Sequence, residues 1–146
     1  MAKTIRNKDL SMAMVLADLK VAEWAIKEAE AGETGKGQAK YIKAQSAYHL
    51  QQAAEKLIKL QLYSSRLKLN YAKIHNHSIT ALIQYSGTIG MALNIPQYVV
   101  NNAKAITDWE AQGRYDLHII VRIDSLKKAQ KEIRQWYDEL YAAGYR

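Results

Sequence analysis

Tyr48–Tyr63, YHLQQAAEKLIKLQLY, is the stretch that decides how this chain is read. At about 100° per residue, Ala47, Leu50, Ala53, Ala54, Leu57 and Leu60 share one face, and Ala39 and Ile42 extend that face upstream. The spacing predicts an amphipathic helix over residues 38–64. Tyr41, Gln45, Tyr48, His49, Gln52, Glu55, Lys56 and Lys59 fall on the opposite side, and Lys40 and Lys43 project from one border. The helix lies in a window, residues 36–73, with eight Lys and Arg against one acid, Glu55. That window accounts for the chain's whole net charge of +7, because the remaining residues balance.

Working outward, the rest of the chain also reads as helix. Met12, Val15, Leu19, Ala22, Ile26 and Ala29 alternate steps of three and four, which predicts a first helix over about residues 7–31 with Asn7 or Asp9 as its cap. GETGKG, residues 32–37, stops it. After the second helix, residues 67–76 read as a basic, irregular connector. A third helix is expected over about 77–93, where Gly87 and Gly90 invite close approach of a neighbouring helix. Asn94–Pro96 reads as a stop and restart, with a fourth helix over about 96–112 burying Val99 or Val100, Ala103, Ile106 and Trp109. Residues 114–123 read as an extended connector or short helix. A fifth helix, about 124–143, starts at Asp124 and carries Leu126, Ala129, Ile133, Trp136, Tyr137 and Leu140 as its buried stripe, with Gly144 just past its end. Five helices with short connections predict an all-α fold, a single antiparallel up-and-down bundle filling one domain over residues 1–146.

Composition excludes several classes of function. The chain has no Cys, so it forms neither disulfides nor thiolate metal sites. MAKTIRNKDL has no apolar signal core, and no run approaches the ~18 apolar residues that would span a bilayer. The expectation is a cytoplasmic protein without membrane association. A sequence pI near 9.5 favours acidic partners, above all nucleotides or nucleic acid. Lys and Arg neutralise phosphate, and Tyr41, Tyr48 and Tyr63, interleaved with them, are suited to stacking on bases.

GETGKG is not a phosphate loop. Glu30 stands where a further Gly is needed, Gly37 follows Lys36 where Ser or Thr is needed, and a helix rather than a strand precedes it. His75-Asn76-His77 is not a convincing metal pair, because residues two apart diverge on a helix and no third ligand has useful spacing. No nucleophile motif or acidic metal cluster is present. The one catalytic option is a composite Arg–His site drawn from Arg66, Arg114, His75, His77 and His118, in which Arg would stabilise a pentacoordinate phosphate and His would take the 2′-hydroxyl proton.

AYHLQQAAEKLIKLQL, Ala47–Leu62, resembles the signature helix of the HEPN family, the higher eukaryotes and prokaryotes nucleotide-binding domains. Asp18-Leu19-Lys20 with Ala22-Glu23, His77 with Leu82, and Ile106-Thr107 with Trp109-Glu110 and Arg114-Tyr115 follow the family in order, over about residues 9–143. The resemblance implies a helical homodimer that acts beside a minimal nucleotidyltransferase, as a toxin–antitoxin or nucleotide-handling pair, and needs no cofactor or metal. Many members are metal-independent endoribonucleases with an Arg, four to six residues, then a His. No Arg here is followed by His at that spacing: Arg114 to His118 is one residue short and Arg66 to His75 is too long. The expectation is therefore a non-catalytic nucleotide- or RNA-binding domain. Family position points to His77, Arg114 and Tyr115, and charge adds His49, Gln52, Lys56 and Lys59. The alternatives are an endoribonuclease using Arg114 with His118 or His77, or a purely structural interaction module.

Overall fold

A computed structural model describes residues 10–32, 35–115 and 121–146, leaving aside the side chains of 36 and 112–115. All of the secondary structure among the described residues is helical, in seven elements: α1 Met12–Ala31, α2 Lys36–Ser64, α3 Tyr71–Ile74, α4 Ile79–Thr88, α5 Gln97–Asn101, α6 Ala103–Tyr115 and α7 Ile123–Ala142. No helix among them is long and apolar enough to cross a membrane.

The all-α class stands, but the up-and-down bundle of about five helices does not. α2 has 29 residues, about 43 Å at the usual rise, and α1, α4, α6 and α7 all pack on it. Its neighbours are shorter pieces around a central rod, not equal antiparallel staves. Two local features raise the helix number. Asn70 caps a single turn inside the expected connector, its side chain accepting from Ala72 N–H at 3.1 Å. Asn102 splits the expected fourth helix into α5 and α6. Its backbone leaves the helical basin at φ −112°, ψ 16°, and its Nδ2 donates to the Tyr98 carbonyl at 2.8 Å. Asn side chains compete for backbone groups in this way and interrupt helices.

The apolar stripes formed largely as spaced. Met12, Val15, Leu19, Ala22 and Ile26 of α1 are buried, and Ala29 is half-buried. All six residues of the α7 stripe are buried, with Trp136 completely enclosed. Val99 turns inward and Val100 outward. α1 starts at Ser11, whose hydroxyl accepts from Met14 N–H, rather than at Asn7 or Asp9, which lie outside the described residues. It stops at Gly32 in the left-handed basin, φ 69°. α7 is entered from Arg122, so Asp124 sits in its first turn and favours the positive end of the helix.

The two glycines expected to admit a neighbouring helix, Gly87 in α4 and Gly90 just after it, do not serve such a contact. A Cβ at Gly87 or Gly90 would meet nothing within 4 Å. Gly90 instead makes the turn that follows α4, at φ 69°, a conformation costly for other residues. The start of α1 meets the C-terminal residue, where Met12 N–H donates to the Arg146 carbonyl at 2.7 Å.

Candidate functional site

The second half of α2 is buried on nearly every side. Besides the expected stripe, Ser46, Gln51, Glu55, Ile58, Gln61, Leu62 and Tyr63 are buried. Of the face expected to be polar, Glu55 is buried, Tyr48, His49, Gln52, Lys56 and Lys59 are half-buried, and Tyr41 and Gln45 are exposed; its enclosed polar groups find partners, as buried polar groups must.

Two carboxylates organise it. Asp18 of α1, 12 % exposed at the side chain, receives Lys56 Nζ on Oδ2, and its Oδ1 lies 2.8 Å from His49 Nδ1. Glu55 receives three groups: Gln51 Nε2 at 3.0 Å and His77 Nδ1 at 3.0 Å on Oε1, and Lys59 Nζ at 3.0 Å on Oε2. Gln51 also donates to the His77 carbonyl at 2.9 Å, and Gln52 donates to Gln51 at 2.7 Å. Five of the sequence-predicted residues, His49, Gln52, Lys56, Lys59 and His77, thus belong to one polar seam that ties α2 to α1 and to the entry of α4. Lys56 and Lys59 neutralise internal carboxylates there and are only 15 % and 13 % exposed at the side chain. His77 is the exception. Its side chain is 54 % exposed, and its Nε2 has no partner among the described residues.

Arg114 and Tyr115 lie in the last turn of α6, with their side chains outside the described set, as is His118. Their approach to His77 and the Arg114–His118 alternative both fall beyond the described residues. The α6 side does reach the start of α4, since Ile79 N–H donates to Thr107 Oγ1 at 3.0 Å. Of the tyrosines expected to stack on bases, Tyr41 is exposed, Tyr48 packs edge-on to His49, and Tyr63 is buried. Among the described residues no group of three or more His, Asp or Glu could hold a metal ion.

Exposed basic side chains also collect in the connector between α2 and α4. Arg66, Lys68, Lys73, His75 and His77 are exposed there, and none of the first four has an ion-pair partner among the described residues. No Asp or Glu occurs between Glu55 and Asp108, so α4, the following loop and α5 bring none either. The charge window of residues 36–73 spans both α2 and this connector, and charge alone does not tell the two apart. Compared with protein-family models, curated proteins and solved structures, the chain matches none.

Proposed function

We propose that this chain is a HEPN-like, non-catalytic domain that binds a nucleotide or RNA and works with a minimal nucleotidyltransferase. The observation that supports binding is the connector of residues 66–75, where Arg66, Lys68 and Lys73 are exposed beside an exposed tyrosine without an ion-pair partner among the described residues, and no carboxylate lies nearby in sequence. A solvated surface of ordinary kind looks different in this same protein. The outer face of α7 alternates signs and closes i,i+4 pairs, Lys128–Glu132 and Arg134–Asp138. Homodimerisation and the nucleotidyltransferase partner rest on the HEPN resemblance alone.

One observation favours a second reading, an endoribonuclease centred on His77. A buried carboxylate fixes its Nδ1 while Nε2 stays accessible, the arrangement a general base requires.

Incubation of labelled RNA with the purified protein in EDTA separates the two. The binding reading expects a salt-sensitive complex and intact RNA. Cleavage that disappears in both His77→Ala and Arg114→Ala would establish the nuclease, and absence of any complex with RNA or ATP would sink the binding reading.

A further inference from the structure

The connector offers more than charge. Tyr71, the first residue of α3, is 49 % exposed, and its ring stacks on buried Tyr63 with centroids 6.2 Å apart and planes 21° from parallel. One ring is fixed in the core and holds the other at the surface. The platform is anchored on both sides. Asn70 N–H donates to the Tyr85 hydroxyl of α4 at 2.7 Å, and Gln51 holds the His77 carbonyl at the far end.

Next to Tyr71 runs an open groove of about 460 Å³, lined by Lys68, Leu69, Asn70, Tyr85 and Ile89. It is open to solvent, with Leu69, Tyr85 and Ile89 as apolar walls and Lys68 and Asn70 as polar groups. Asn70 Oδ1 is occupied by the cap to Ala72, while its Nδ2 has no partner among the described residues. Lys68 supplies a cation at the rim, with Arg66 before it in the chain and Lys73 after.

We infer that the Tyr71 platform and the adjoining Lys68–Asn70–Tyr85 groove form a binding track for single-stranded nucleic acid, with one base on Tyr71, a neighbouring nucleotide in the groove, and Arg66, Lys68 and Lys73 on the phosphates. This rests on the nucleotide- or RNA-binding reading above and narrows it. Stacking on an exposed ring needs an unpaired base, because a duplex keeps the faces of its bases inside the stack. Cations without acids serve the backbone without regard to sequence.

The test is fluorescence anisotropy with oligo(U) and oligo(dT) of about 12 nucleotides, an RNA duplex of equal length, and labelled ATP, using the full chain. Single strands should bind at least tenfold more tightly than the duplex, and the two sugars show whether the track prefers ribose. Tyr71→Ala should weaken binding about tenfold, in the range of one lost base–aromatic stack, while Tyr71→Phe keeps the ring and the affinity. The triple variant Arg66→Ala/Lys68→Ala/Lys73→Ala should flatten the slope of log affinity on log salt by about 2, at about 0.7 per phosphate. Lys131→Ala, an exposed cation on α7, should change nothing. Duplex bound as tightly as single strands, or single-strand binding indifferent to Tyr71→Ala and to the triple variant, overturns the track and leaves the broader reading standing. Failure to bind any of the four probes overturns both.

Discussion

Asp18 and Glu55 are the residues on which the largest local energies turn. Each carboxylate is almost out of water: Asp18 is matched by Lys56 and His49 from α2, and Glu55 by Gln51 and Lys59 of its own helix and by His77. A paired buried charge is a weak net stabiliser, but removing one partner leaves the other desolvated and uncompensated. Asp18→Ala strands the Lys56 ammonium, and should lower unfolding free energy by roughly 2–4 kcal/mol in urea titrations. Asp18→Leu combined with Lys56→Met should recover most of that loss, because it removes both charges and keeps the volume. A double variant as unstable as Asp18→Ala would show that the seam acts through His49 or through packing. Lys56→Ala is expected to weaken the fold before it weakens any ligand, which separates it from Lys68→Ala at the exposed connector.

At the scale of elements, α4 gives the clearest contrast. Gly87 lies inside the helix at ordinary φ, with open space where a Cβ would go, so Gly87→Ala should stabilise by about 0.5–1 kcal/mol. Gly90 stands in the left-handed basin, so Gly90→Ala should destabilise by about 1–2 kcal/mol despite the same open space. Thermal melts of the two variants should move in opposite directions, and a shared direction would refute the backbone account. The same contrast marks what was legible beforehand. A period of three and four recovers α1 and α7, because each presents one stripe to the core. It misjudges α2, because that helix is enclosed by four others and the partners of its polar residues come from far along the chain. Asp18 meets Lys56 across 38 positions, and Gln61 holds Asn94 through both backbone groups across 33. No local pattern carries such pairings. The candidate site was half legible for the same reason: the window's excess charge and the i,i+4 spacing of Glu55 and Lys59 were visible, but the match of Lys56 depended on the distant Asp18. The break at Asn102 is a local side-chain bond that hydrophobic spacing does not register.

Across the whole molecule, α7 joins the other layers through groups that respond to alkali in one direction. Burial raises the phenols of Tyr98 and Tyr137 above the usual 10.0, with Lys128 opposing at Tyr98 and Arg134 at Tyr137. The hydrogen bond to Glu30 raises Lys127 above 10.5 across the α1–α7 boundary. Each group holds its proton more firmly in the folded chain than in the unfolded one. Its stabilising share is therefore complete below the unfolded value and is lost as pH rises through the folded value. The window opens near pH 10 and extends upward. The Lys127–Glu30 bridge is exposed and contributes little, so the phenols of half-buried Tyr98 and buried Tyr137 should dominate. Urea midpoints measured from about pH 9 to about pH 11 should fall, and should fall less steeply in Tyr98→Phe/Tyr137→Phe, which keeps both rings in place and has no phenol to ionise there. An equally steep decline in that double variant would assign the alkaline loss to the lysines or to the chain's general charge. A flatter one would locate it where α7 closes over α5 and the core.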